Sequence, residues 1–136
     1  ILTVEFLKGN KSITLIEKVI GLTYETNTGA SFGIMKNQKW FLILLPIIMI
    51  GVCLYFLIAK KVKSKWAMVS LAFIIGGGIG NLYDRIFYGY VVDMFEFKFM
   101  DFAIFNVADT FITIGCVILA LVILFDKNFF REEKCE

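Results

Sequence analysis

Three aspartates are the residues best placed to do chemistry in this chain: Asp84, Asp93 and Asp109. Each lies within or beside a stretch that is otherwise poor in charge, in the company of Asn81, Arg85 and Asn106. Charged groups at membrane depth are costly and tend to be functional. The chain has no histidine. That excludes Ser-His and Cys-His nucleophilic sites and zinc protease sites built on paired histidines. Two aspartates held together in a partly dry site can share one proton, because like-charge repulsion and desolvation drive their pKa values apart. One then serves as base towards a water and the other as acid towards an amide. Such a site needs no metal and no cofactor.

The elements that must carry these residues are apolar. Of 136 residues, 59% are hydrophobic and 19% charged, and mean hydropathy is +0.79. Trp40 to Ala59 is 20 residues without a charge, Trp66 to Tyr83 is 18 more, and Phe102 to Phe125 carries only Asp109. A bilayer core of about 30 Å needs about 20 apolar residues in a helix. Spans are therefore expected at 40–59, 66–83 and 105–125, in one small membrane-embedded domain over 1–136, and a soluble globular domain is excluded. Cys53 and Cys116 lie inside apolar runs and Cys135 in the tail, which gives neither a disulfide framework nor a metal site. A net charge of +2 without a long basic block offers nothing to nucleic acid.

Lys60, Lys61, Lys63 and Lys65 form a short basic connection between the first two spans. Such connections stay in the cytoplasm. Asp84, Asp93 and Asp109 then gather at the outer ends of their helices, with Asp93 in an outer loop. Residues 1–9 read as the remnant of a first helix, without the basic start and cleavage site of a signal peptide. Ser12 to Gly33 differs in kind. Its β-branched, partly alternating runs are punctuated by Gly21 and Asn27-Thr28-Gly29, which predicts two or three short strands. Open strand edges cannot sit in lipid, so a small β-cradle over 10–36 is expected at the extracytoplasmic membrane surface.

Each polar residue also has a plainer reading. Asp84 and Arg85 make an interfacial anchor with a local ion pair. Asp93 in a loop is simply solvated, and Asp109 is a helix N-cap. Gly76, Gly77, Gly78 and Gly80 suit helix packing, since small residues let membrane helices approach closely. A phosphate loop does not fit, because no Lys-Ser/Thr follows them.

Gly76-Gly77-Gly78-Ile79-Gly80-Asn81-Leu82-Tyr83-Asp84-Arg85, then Val91-Val92-Asp93, then Phe105-Asn106-Val107-Ala108-Asp109 resembles bacterial lipoprotein signal peptidase, also called signal peptidase II. Asn27-Thr28-Gly29-Ala30-Ser31-Phe32-Gly33 is similar to that family's upstream Asn-x-Gly-Ala-Ala-Phe element, with Ser31 in place of the usual Ala. Met94 stands where Phe is usual, and the family's first helix with its Asp-Gln-x-x-Thr/Ser-Lys element is not in this chain. The resemblance implies an α-helical polytopic membrane protein of four helices, three of them visible as full spans, with a small extracytoplasmic β-cradle. It implies an aspartyl protease with Asp93 and Asp109 as catalytic pair. Asn27, Gly29, Asn81, Arg85 and Asn106 become binding or supporting residues, and Asp84 takes a structural role. The implied substrate is a prolipoprotein whose cysteine carries diacylglycerol, cut on the N-terminal side of that cysteine. A monomer in the bacterial cytoplasmic membrane, with lipid as its surroundings, completes the expectation. The alternative is a small non-enzymatic membrane protein, a transporter or assembly subunit, with Asp109 as an ion or proton site. That reading explains one residue but not four ordered motifs. A presenilin-type protease would require Gly-x-Gly-Asp, which does not occur here.

Overall fold

Apolar runs become helices and β-branched runs become strands in the order the patterning expects. The computed structural model describes Leu7, residues 12–29 and residues 38–126. The expected first-helix remnant, apart from Leu7, and the end of the cradle at 30–36 lie outside the described residues. The elements are β1 (Ile13–Ile16), β2 (Ile20–Asn27), α1 (Lys39–Ile58), α2 (Lys65–Phe87), β3 (Val91–Phe97) and α3 (Val107–Phe125). All three helices are long and apolar enough to cross a membrane. Their limits fall close to the expected ones, except that α2 runs four residues past Tyr83 and so takes in Asp84 and Arg85. The chain divides into a sheet-bearing unit, Ile1–Ile43 with Tyr83–Val107, and a helical unit, Leu44–Leu82 with Ala108–Glu136.

In the sheet-bearing unit the strands form an antiparallel sheet in the order β1-β2-β3. Lys18 takes a positive φ of 59° in the turn from β1 to β2. Gly21 is a tight position: a Cβ there would lie 3.2 Å from the Ile13 carbonyl oxygen and 2.7 Å from the movable Lys98 Cε. The third strand corrects the sequence reading. Residues 91–97 are not a loop; β3 pairs with β2 from Ile20↔Phe97 to Asn27↔Val91, with Glu25 opposite Asp93. The run Val91-Val92-Asp93-Met94-Phe95-Glu96-Phe97 is only partly alternating, so its strand character comes from its partner β2. Phe105 then folds back onto β3. Its carbonyl accepts from the amides of Met94 and Phe95, and its own amide donates to Phe95 at 3.1 Å. The tilted and edge-on rings of Phe95, Phe97, Phe102 and Phe105 pack against one another around this bridge.

The helical unit is held by close backbone approach. A Cβ on Gly77 would collide with the carbonyl oxygen of Ala108, and one on Gly115 would lie 2.8 Å from that of Ser70. Glycine at both positions lets α2 and α3 touch, as small residues do in membrane bundles. Gly76 meets nothing within 4 Å, so the packing surface is narrower than the glycine run. Cys53, Val62, Ala67, Leu71 and Val122 form the apolar centre.

Candidate active site

Asp93 is the most enclosed of the three aspartates, at 3% exposure. Strand pairing holds its backbone, and two asparagines hold its carboxylate. Asn27, the last residue of β2, donates from Nδ2 to Asp93 Oδ2 at 2.9 Å. Asn106 donates from Nδ2 to Asp93 Oδ1 at 2.7 Å. Residue 106 comes within reach because Phe105 is bridged to Phe95 on β3. The solvated-loop reading of Asp93 therefore fails: it is a buried strand residue with an amide donor on each oxygen.

Asn27 works in two directions. Its Oδ1 accepts the Gly29 amide at 2.9 Å, closing an Asx turn. The Gly29 carbonyl in turn accepts from Arg85 Nη2 at 3.0 Å. A continuous line of polar contacts thus runs Arg85–Gly29–Asn27–Asp93–Asn106. Asp84 joins it from the side by accepting a hydrogen bond from the Val92 backbone, which ties the end of α2 to the start of β3. That is a positioning contact. The Tyr24 phenol on β2 is pushed above its ordinary pKa by burial and by the neighbouring Tyr90.

In the helical unit, Asn81 of α2 donates from Nδ2 to Asp109 Oδ1 at 2.7 Å. Asn81 is 8% exposed and Asp109 half-buried. The glycine contacts explain the short reach, since Gly77 and Gly80 both face Ala108, next to Asp109. Asp109 lies inside the first turn of α3, two residues after Val107, so it is not the N-cap that the plainer reading makes it.

All eight expected site residues thus make specific polar contacts, six in the sheet-bearing unit and two in the helical one. Phe105 opens the Phe105–Asp109 run but has no site role in the sequence reading, although its bridge to Phe95 sets the position of Asn106. Its only signal is that Phe95 and Phe105 are aromatic, and pairing across ten residues leaves no local mark. Among the described residues no group of three or more Cys, Asp or Glu side chains could hold a metal ion. Held carboxylates with amide donors are equipped for proton transfer and for orienting a water.

A family model described as signal peptidase (SPase) II matches residues 1–125. Lipoprotein signal peptidase of Streptococcus thermophilus (strain CNRZ 1066) is 47% identical over 119 residues, which is 88% of this chain and 78% of that protein. The lipoprotein signal peptidase of Streptococcus agalactiae serotype V is 43% identical over 120 residues, 87% and 78% of the two chains. A solved bacterial membrane enzyme, determined by the in meso method at 2.3 Å resolution, matches with a TM-score of 0.81 at 29% identity, over 93% of this chain and 78% of its own. Family model, relatives and solved structure agree, and the chain belongs to the signal peptidase II family.

Proposed function

We propose that Asp93 and Asp109 are the catalytic pair of this enzyme. As a member of its family, the protein is a multi-pass bacterial membrane peptidase that cleaves lipoprotein signal peptides. The observation that carries the residue assignment is that both aspartates are gripped by asparagine amides, at 2.7–2.9 Å, in a chain without histidine. In these contacts the asparagine amides orient each carboxylate.

In the proposed reaction the pair shares one proton. Asp93, held by an amide donor on each oxygen, takes the proton of a water as that water attacks the scissile carbonyl. Asp109 donates its proton to the departing amide nitrogen. The proton gained by Asp93 then restores the shared state. Asn81 and Asn106 keep the two carboxyls in their rotamers, and chain connectivity supports their cooperation: Asn106 precedes Asp109 by three residues. Arg85 and Asn27 hold the Gly29 turn, where backbone without a side chain can come close to a peptide.

The substrate proposed is a prolipoprotein with a diacylglyceryl cysteine, cut on the N-terminal side of that cysteine. The enzyme works as a monomer in the cytoplasmic membrane with its active site at the extracytoplasmic face. Two features support this orientation. The lysine-rich connection lies at the end of the helical unit opposite Asp109, and exposed Tyr83, Phe87 and Tyr88 surround the end of α2, where aromatic residues favour the membrane interface. Purified protein in bilayers should cut a diacylglyceryl precursor immediately before its cysteine, and mass spectrometry of the products reads the bond cleaved. Cleavage elsewhere, or none by the intact enzyme, would reject the substrate assignment.

A further inference from the structure

The connection between α1 and α2 is more ordered than a solvated charged loop needs to be. α1 ends in a Schellman turn: Lys60 has a φ of 51°, Lys60 N–H donates to Leu57 and Lys61 N–H to Phe56. Val62 and Ser64 are then buried, at 6% and 7% exposure. Val62 packs in the apolar centre beside Val122. Lys63 and Lys65 alternate with these two and are exposed, the period of an extended chain. Buried neighbours therefore hold the lysines in a row.

That row ends at Trp66, which is 66% exposed. Trp66 forms one wall of an open groove of about 560 Å³ whose other walls are Ile118, Leu121, Val122 and Phe125 of α3, with Asp126 at the rim. Leu121 and Phe125 are 50% and 77% exposed. Asp126 and Lys61 are both engaged in interactions of their own. Among the described residues, exposed Lys60, Lys63 and Lys65 lie on the connection that leads into Trp66.

We propose that this groove and lysine row bind one anionic glycerophospholipid of the surrounding leaflet. Its phosphate lies against the amines of Lys63 and Lys65, and one acyl chain lies along Trp66, Leu121 and Phe125. Charge complementarity selects the occupant. A zwitterionic lipid suits the groove but gains little from three lysines, whereas basic clusters at the ends of membrane helices attract anionic headgroups. A small free anion suits the lysines but leaves the groove unfilled. The indole of Trp66 sits where its ring favours the headgroup level. Asp109 and Phe125 are 16 residues apart on α3, about 24 Å at the helical rise, so this site is separate from the aspartates.

The test uses the full chain in neutral detergent, with native mass spectrometry reading retention of dioleoyl phosphatidylglycerol against dioleoyl phosphatidylcholine. The wild type should retain the anionic lipid preferentially. Lys63→Gln with Lys65→Gln should weaken its binding by about 10- to 30-fold and leave the zwitterionic lipid unchanged. Lys63→Arg with Lys65→Arg should keep the preference, and Leu121→Ala should reduce retention. Glycerol phosphate, which has no chains, should not compete. Equal retention of the two lipids by the wild type would overturn the proposal, as would undiminished anionic binding in the glutamine pair or displacement by glycerol phosphate at matched concentration. Should the glutamine pair fail to fold, the wild-type preference and the arginine pair still decide.

Discussion

Asn106 donates its side-chain amide to Oδ1 of Asp93 at 2.7 Å, from a position 13 residues further along the chain. The contact exists because Phe105 is hydrogen-bonded to β3, so one backbone bridge delivers the amide to a buried carboxylate. A hydrogen bond to a charged group contributes about 1.5–3 kcal/mol. Asn106→Ala should therefore lower kcat by about 10- to 150-fold, with a smaller change in KM. Steady-state kinetics on a lipidated precursor checks this; unchanged kcat would mean that Asp93 does not depend on Asn106.

Arg85 reaches the Gly29 carbonyl with Nη2 and so holds the turn proposed to meet substrate. A lysine amine cannot reproduce the planar fork of donors. Arg85→Lys should leave thermal unfolding nearly unchanged while reducing turnover about tenfold or more, the loss of roughly one charge-assisted hydrogen bond. Loss of folding without a separate kinetic effect in the surviving enzyme would make Arg85 purely structural.

Glycines on α2 and α3 separate packing from composition. Gly77→Ala and Gly115→Ala place a Cβ against backbone oxygen. They should destabilise by about 1–3 kcal/mol, as overpacking does, and Gly77→Ala should also loosen the Asn81–Asp109 contact and lower activity. Gly76→Ala, with open space at its Cβ, should be neutral or stabilise by up to about 1 kcal/mol. Thermal unfolding in one detergent ranks the three.

Most of the fold can be read from local pattern. Uncharged runs mark α1 and α2, and the single charge at Asp109 marks the start of α3. What escapes is non-local. Val91–Phe97 holds strand-forming Val and Phe residues, but it is pairing with β2 that makes it a strand rather than part of an outer loop. The same limit applies to the site. Asp93, Asp109 and their asparagines stand out as polar residues in apolar surroundings and by family resemblance, but which amide serves which carboxylate depends on the Phe95–Phe105 bridge and on the Gly77–Ala108 approach. Neither is visible until the chain is folded.

A substrate that arrives from the membrane should be recognised through its lipid as well as its peptide. The unlipidated form of one precursor should be a far poorer substrate than the diacylglyceryl form in the same bilayer at matched concentration. Equal rates would show that the site does not read the lipid, and the membrane-side entry would have to be abandoned.

The central claim is that Asp93 and Asp109 act as one unit. It is tested most directly by the cleavage rates of Asp93→Asn, Asp109→Asn and the double variant, measured on one lipidated precursor with folding verified in the membrane. Loss of a general acid–base step costs about 10²–10⁴-fold, and residues that share a proton lose function together. Each single variant should fall by at least that factor, and the double variant should be no slower than the slower single. A wild-type-like rate in either single variant, or losses that multiply in the double, would contradict it.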